Sequence, residues 1–312
     1  MKGHEEMSEE GTTVSATFRA GYVAIIGQPN VGKSTLMNAL VGQKISIVTS
    51  KPQTTRHKIL GIASRPEAQA IFLDTPGILE PRYKLQEAMM NAARTATQDA
   101  DIVILMIDAT SPQMDADIAH DVAFTWLKSF AKRVYLVINK IDQLPKEEVI
   151  PIIGFYSTQF QFEEIFPVSA LKSHGTDKLL SYLLAALPVH PPYYPLDIIS
   201  EHPERFFVSE IIREKIFEDY REEIPYSTSV DIVEFKEQAG KKDLIEAEIY
   251  VERESQKGIL IGKKGAALKQ IGERSRKDIE LFLGRPVMLK LFVKVREKWR
   301  NQDEWVQRLG YH

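Results

Sequence analysis

Gly27-Gln28-Pro29-Asn30-Val31-Gly32-Lys33-Ser34-Thr35 follows the apolar run Tyr22-Val23-Ala24-Ile25-Ile26 and leads into Leu36-Met37-Asn38-Ala39-Leu40. The order is strand, glycine loop, helix, and Gly27, Gly32, Lys33 and Ser34 stand at the spacing of a phosphate-binding loop. Glycines let the backbone curl until successive N–H groups point inward as an anion nest. The helix that starts there adds the positive end of its dipole. Lys33 would add a full charge on the β- and γ-phosphates, and the Ser34 hydroxyl would ligate Mg²⁺. A bound nucleotide is therefore expected, and the rest of the chain must say which one and to what end.

At 312 residues the chain is long for one core and suits two domains. It has no cysteine, which excludes disulfides and thiolate metal sites. The first twenty residues include Glu5, Glu6, Glu9 and Glu10 and lack the basic-then-apolar layout of a signal peptide, so residues 1–18 are expected to be a flexible extension. No apolar run approaches membrane-spanning length. Net charge is −3, which decides nothing about nucleic acid until its distribution is known.

Residues 19–187 alternate short apolar runs with helix-like segments, the layout of a mostly parallel sheet covered on both faces. The segment from Lys44 to Arg56, rich in Ser and Thr and holding Pro52, is expected to be irregular and mobile. His57–Ile62 and Ala70–Leu73 look like an antiparallel pair, and Asp101–Asp108 and Val134–Ile138 like strands buried on both faces. A helix is expected over 113–130, a short strand at Ile165–Val168 and a helix over about 176–187. Pro188, Pro191, Pro192 and Pro195 then mark a stiff connector, placed at 188–202. Beyond it, in 203–312, the order reads helix (203–222), strand (227–237), strand (244–252), a loop and helix (258–283), strand (287–295) and helix (300–309).

Asp74-Thr75-Pro76-Gly77 ends a strand, where an aspartate can hold a Mg²⁺-bound water and the Gly77 N–H can meet a γ-phosphate oxygen. Asn139-Lys140-Ile141-Asp142 also ends a buried strand. The Asp142 carboxylate can accept from N1–H and the 2-amine of guanine, whereas adenine offers neither donor. Asn139 can support the base edge, and the stem of Lys140 can cover the ring. In Ser169-Ala170-Leu171 the Ala170 N–H is placed to bond guanine O6. Together with Thr55, this set resembles the translation-factor class of GTPases, and Pro52-Gln53-Thr54-Thr55-Arg56 resembles the first switch of the Era family within it. The resemblance implies GTP and GDP as ligands. It also implies that Thr55 joins Ser34 and, through water, Asp74 around Mg²⁺ when the γ-phosphate is present. Ile78 stands where Ras-like enzymes carry a water-orienting glutamine. Hydrolysis must then rest on positioning and charge, with Lys33, Thr55, the Gly77 N–H and Asn30 as the candidate groups. Several relatives with a hydrophobic residue at the position of Ile78 carry an asparagine at that of Asn30 that helps bind K⁺, so the resemblance implies stimulation by K⁺.

The second half carries Ile261-Gly262-Lys263-Lys264-Gly265, with Lys269 one helical turn on. A Gly-x-x-Gly loop between helices lets a nucleic-acid backbone come close, while apolar neighbours form a groove for bases. Residues 203–256 hold 8 basic and 15 acidic side chains, and residues 257–300 hold 13 and 4, which predicts a polarised surface. Lys290, Lys294, Arg296, Lys298 and Arg300 fall on or beyond one strand and largely on one face. The element order resembles a K-homology (KH) domain of the bacterial type, and with the GTPase half it covers nearly the whole chain. This implies an α/β P-loop GTPase domain followed by an α+β type II KH domain. It further implies a monomeric, slow GTPase that binds the 3′ tail of small-subunit ribosomal RNA and assists maturation of the small ribosomal subunit. Loose contact with the cytoplasmic membrane is implied as well.

Two rival readings remain: a P-loop phosphotransferase whose second domain binds substrate, which Asp142 disfavours, and a passive RNA-binding adaptor. His57 is expected on the surface, and Trp126, Trp299 and Trp305 in helix packing.

Overall fold

The computed structural model describes residues 17–115, 118, 121–128 and 132–311. Six strands, β1 (Arg19–Ile26), β2 (Ile59–Arg65), β3 (Ala68–Asp74), β4 (Ile102–Asp108), β5 (Arg133–Asn139) and β6 (Glu164–Pro167), form one sheet. Its order is β2-β3-β1-β4-β5-β6, with β2 antiparallel to β3 and the other pairings parallel. β1, β3, β4 and β5 are almost wholly buried, as the continuous apolar runs require of strands covered on both faces. The covering helices are α1 (Lys33–Val41), α2 (Lys84–Asp99), α3 (Val122–Lys128), α4 (Lys146–Gln159) and α5 (Thr176–Ala186).

Some expectations shift. Among the described residues the helix expected over 113–130 is confined to α3, whose first N–H groups are capped by the Asp121 carboxylate. Most of the extension 1–18 lies outside the described residues, but Phe18 is packed in the core and its carbonyl accepts from His190 N–H. In this first unit two helices had no counterpart in the sequence reading, α2 and α4.

The second unit follows in the order α6 (Glu204–Asp219), α7 (Ile224–Ser227), β7 (Ser229–Lys236), β8 (Asp243–Val251), α8 (Glu254–Ile261), α9 (Ala266–Leu283), β9 (Val287–Val295) and α10 (Asp303–Arg308). β8 is central, antiparallel to β7 and parallel to β9. One sheet face packs Ile245, Ala247, Ile249 and Val251 against α6, α8 and α9. Trp299 is fully buried, with its indole N–H on the Ser227 carbonyl, so its packing role holds.

Candidate functional site

All the first-domain motifs sit at the carboxyl ends of β1, β3, β5 and β6, the edge where open α/β sheets bind ligands. The phosphate loop needs its glycines for space. A Cβ on Gly27 would lie 2.3 Å from the Met106 carbonyl oxygen, and one on Gly32 would lie 2.3 Å from Asn139 Nδ2. Gly32 also has φ 103°, and Asn30 has φ 65°. Asn139 ties the loops together: its Nδ2 donates to the Val31 carbonyl at 2.8 Å and its Oδ1 accepts from Ala170 N–H at 2.9 Å. The Ala170 N–H assigned to guanine O6 is thus engaged by Asn139 in this structure. Asp142 and Leu171 are exposed, Ser169 is buried, and Lys140 is ion-paired to Asp108. Ile141 and Asp142 open a short 3-10 turn, and Val31 and Thr35 lie at the loop's exit into α1.

Lys33 is buried with its Nζ donating to the Gly27 and Gln28 carbonyls at 3.1 and 2.8 Å. Burial lowers its pKa to about 8, against the pull of Asp74. Asp74 Oδ2 accepts from Ser34 Oγ at 2.7 Å and from Ser46 Oγ at 2.9 Å, and Ser34 Oγ lies 2.7 Å from Thr55 Oγ1. Ser34, Thr55 and Asp74 therefore converge as the sequence reading required. Burial pushes the Asp74 carboxyl up, opposed by the Ser34 hydroxyl and the Lys33 charge. Its Oδ1 is buried without a partner. An orphaned carboxylate oxygen beside two hydroxyls suits a hydrated Mg²⁺, which would supply the missing donor through water. Among the described residues no cluster of His, Cys, Asp or Glu offers another metal site.

Thr75 Oγ1 donates to the Ile25 carbonyl and fixes the loop that follows β3. A Cβ on Gly77 would meet the Pro29 backbone at 2.8 Å, so this glycine permits the close approach of Pro76–Gly77 to the phosphate loop. Ile78 turns into the core at 4% exposure while its N–H donates to the Gly27 carbonyl. It orients no water. Asn30 Nδ2 donates to the Ser50 carbonyl at 3.1 Å, linking the phosphate loop to the 44–56 segment. Gln28 Nε2 reaches Asp121 at 2.8 Å.

The 44–56 segment is irregular as expected, yet Thr54, Thr55 and Arg56 are buried. Their cover comes from the second unit. Arg56 donates to the carbonyls of Thr228, Pro225 and Tyr226 at 2.7, 2.9 and 3.0 Å. Arg213 of α6 reaches back to the Thr54 carbonyl at 2.5 Å, and both guanidiniums lie over the Phe217 ring. Glu214 holds Lys44 at 2.7 Å and the Val48 N–H at 3.0 Å, and Lys51 caps the carbonyls of Phe217 and Tyr220. After Gly77, α2 packs Leu85, Met89 and Met90 against Trp299, Val306 and Tyr311. His57, expected on the surface, is stacked on Tyr311 at 4.3 Å and meets Phe206 edge-on. Sequence reasoning missed this interface because most of its acceptors are backbone carbonyls, which carry no residue signature.

In the second unit the glycine loop joins α8 to α9, with positive φ at Gly262, Lys264 and Gly265. A Cβ on Gly262 would come 2.6 Å from that of Ala267. Lys263, Lys264 and Lys269 are exposed, and Ile261 is half-buried beside them. Half-buried Leu268, Leu289 and Leu291 supply the apolar neighbours on α9 and the edge strand β9. The polarised surface needs correction. Lys290 pairs with Glu246, Lys294 with Glu248, Arg300 with Glu252, and Arg285 with Glu204 and Asp243. Much of the basic block neutralises the acidic block across the β8–β9 register. Among the described residues Lys263 and Lys264 of the glycine loop have no ion pair, as is also true of Lys257, Arg276, Lys277, Arg296 and Lys298 in the same block.

The family described as a 50S ribosome-binding GTPase matches residues 22–140, and the KH domain family matches residues 223–300. GTPase Era of Lacticaseibacillus paracasei is 46% identical over 293 residues, covering 94% of this chain and 97% of that protein. The maize chloroplastic GTPase ERA1 is 47% identical over 309 residues, covering 98% of this chain and 74% of that protein. A crystal structure of Era with MgGDPNP and nucleotides 1506–1542 of 16S ribosomal RNA superposes with a TM-score of 0.88 at 44% identity, covering 94% of this chain and 99% of that one. A chain that joins a GTPase family match to a KH family match, and that is 46% identical to GTPase Era over nearly the whole of both proteins, belongs to the Era family of GTPases, with GTP or GDP and Mg²⁺ as its ligands.

Proposed function

We propose that this GTPase is a nucleotide-timed binder of small-subunit ribosomal RNA that assists maturation of the small subunit. The observation that carries the reading is the placement of Thr54–Arg56 between the nucleotide site and the second unit. With GTP bound, Thr55 is held at the metal and Arg56 stays seated against α7 and the start of β7. Loss of the γ-phosphate releases Thr55 and frees the segment that covers α6. The glycine loop, with Lys263 and Lys264, takes the RNA backbone, and the β9 edge takes the bases. The relative solved with MgGDPNP and the 16S fragment supports the choice of RNA.

For hydrolysis, Mg²⁺ would neutralise charge on the transferring phosphate. Lys33, which donates to the Gly27 and Gln28 carbonyls, would hold β- and γ-phosphate oxygens, and the Gly77 N–H would meet a γ-phosphate oxygen. Asn30 is the K⁺ candidate, and equal turnover in Na⁺ and K⁺ buffers would remove it. Among the described residues no helix is long and apolar enough to cross a membrane, and peripheral membrane contact remains part of the proposal.

The deciding experiment is crosslinking of the full chain to cellular RNA with GTP analogue and with GDP, followed by sequencing. Enrichment of the small-subunit tail in one nucleotide state is expected. Equal recovery in both states, or capture of unrelated RNA, would sink the proposal.

A further inference from the structure

Where α2, β7, α6 and the end of α10 meet, a cavity of about 680 Å³ opens between the two units. It is as large as sites that hold nucleotide-sized ligands. Space remains because α2 offers only Ala88, Ala92 and Thr95 to its wall. Its lining is strongly one-signed: Arg56, Lys58, Arg205 and Arg308 face a single carboxylate, Asp231.

Arg56 is committed to its three carbonyls, and the other three cations are not so committed. Arg205 spends one N–H on the Ile232 carbonyl, and neither Lys58 nor Arg308 has an ion pair among the described residues. The Arg308 guanidinium lies over the Trp305 ring at 4.8 Å, with Arg296 over the same ring at 4.9 Å. Stacking holds the plane of Arg308 while its N–H edge stays available, the arrangement that suits a phosphate. The nearest carboxylates behind the wall are taken: Glu210 by Arg213, and Glu201 by the Tyr194 hydroxyl. His202 supplies a second kind of signal. It lines the cavity, and its ring hydrogen-bonds the Lys58 backbone, which holds the imidazole in place as part of the wall. Phe206, stacked on His202 at 4.3 Å, completes an aromatic wall.

We propose that this interdomain cavity is a second anion site, separate from the guanine site, for a nucleotide-sized phosphate ester. Phosphate would meet Lys58, Arg205 and Arg308, and a ring would lie along the aromatic wall. The same chemistry comes from a free nucleotide or from one unit of an RNA strand. Because both units line the cavity, an occupant favours the docked arrangement and, by reciprocity, raises affinity for GTP over GDP. The inference does not depend on RNA recognition by the glycine loop, and a Gly262→Asp variant that loses RNA leaves it standing.

The test uses the full chain with its guanine site saturated by GTP analogue and Mg²⁺. Labelled AMP is titrated in one arm, and a short single-stranded RNA matched to the small-subunit tail is crosslinked in the other. Saturable binding of one AMP per chain is expected, weakened roughly tenfold or more by Lys58→Ala with Arg205→Ser, the loss of a charge-assisted contact. Asp231→Asn should tighten it, and this variant keeps the question open to an answer if the double substitution disturbs folding. If AMP fails to bind while RNA crosslinks within the cavity respond to the same variants, RNA is the source and the site stands. If both probes are indifferent to both variants while GTP binding is intact, the proposal is overturned.

Discussion

Arg56→Ala tests the coupling at its narrowest point. Arg56 is 3% exposed and donates three hydrogen bonds of 2.7, 2.9 and 3.0 Å to carbonyls of the second unit. A hydrogen bond to a charged group contributes about 1.5–3 kcal/mol, and buried carbonyls left without donors add a cost. The three bonds share one guanidinium and are not additive, so about 3 kcal/mol is a conservative loss for the docked arrangement. That corresponds to a shift on the order of a hundredfold in the ratio of docked to undocked molecules. Arg56→Lys should recover only part, because one ammonium cannot span three diverging acceptors.

Two measurements check it: the RNA affinity ratio between GTP-analogue and GDP states, and the GTP-to-GDP affinity ratio without RNA. If switch and docking are one equilibrium, both ratios move toward one in the alanine variant. Solution scattering should show the chain opening in the GTP-analogue state. An opened chain whose RNA affinity still distinguished GTP from GDP as in the parent would refute the reasoning. The coupling would then run by another route, such as the stiff proline-rich connector at 188–202.

Three further outcomes follow from the same geometry. Lys33 has a pKa lowered to about 8 by burial, and nucleotide phosphates should raise it. GTP binding between pH 8 and the ordinary value of 10.5 should therefore take up a proton, seen as buffer-dependent binding heat that is absent at pH 7 and in Lys33→Ala. Burial also lowers the His57 pKa to about 4 from 6.5, although Glu210 pulls the other way. The unfolded chain then binds more protons between these values. The stability from a neutral His57 is present above pH 6.5 and lost as pH falls toward 4, and the thermal midpoint of His57→Phe should fall less over that window. Replacing Lys263 and Lys264 by Ala should weaken RNA binding across sequences and flatten its logarithmic salt slope by about 1.4, at ~0.7 for each single-strand phosphate contact. An unchanged slope would move the RNA path away from the glycine loop.

The site was legible where chemistry dictates residue type. A phosphate loop requires Gly32 because Asn139 sits against it, and the sequence reading placed guanine selection on the Asp142 carboxylate, the group able to accept from both N1–H and the 2-amine. Of the two unread first-unit helices only one lacks the usual signal: α4 carries Pro151 in its interior, whereas α2 buries Leu85, Gln86, Met89, Met90, Ala93, Ala96 and Thr97 along one face at helical spacing, a pattern the sequence did carry. The basic strand was read as free charge because its partners are remote in sequence. Lys290 faces Glu246 only once β8 and β9 are paired in register. α6 gave one unused hint, since Glu210, Arg213, Glu214 and Lys215 interrupt an apolar helix and all four are buried. Charges inside such a helix indicate an ionic contact with another element, and here much of that contact is the 44–56 segment.

That segment explains why the two halves need no long relay between them. Thr55 and Arg56 are consecutive, so their Cα atoms are about 3.8 Å apart across one planar peptide. Thr55 faces the Ser34 hydroxyl at 2.7 Å, and Arg56 enters a nest of carbonyls on the other unit. N–H···O hydrogen bonds span only about 2.7–3.2 Å. A withdrawal of Thr55 by a single ångström, transmitted through a rigid peptide, would strain or break the Arg56 contacts. The reverse holds too, because pulling the second unit away draws Thr55 from the metal. Under the proposed function, one peptide bond would carry the γ-phosphate signal in both directions, with Arg56 as its mechanical end.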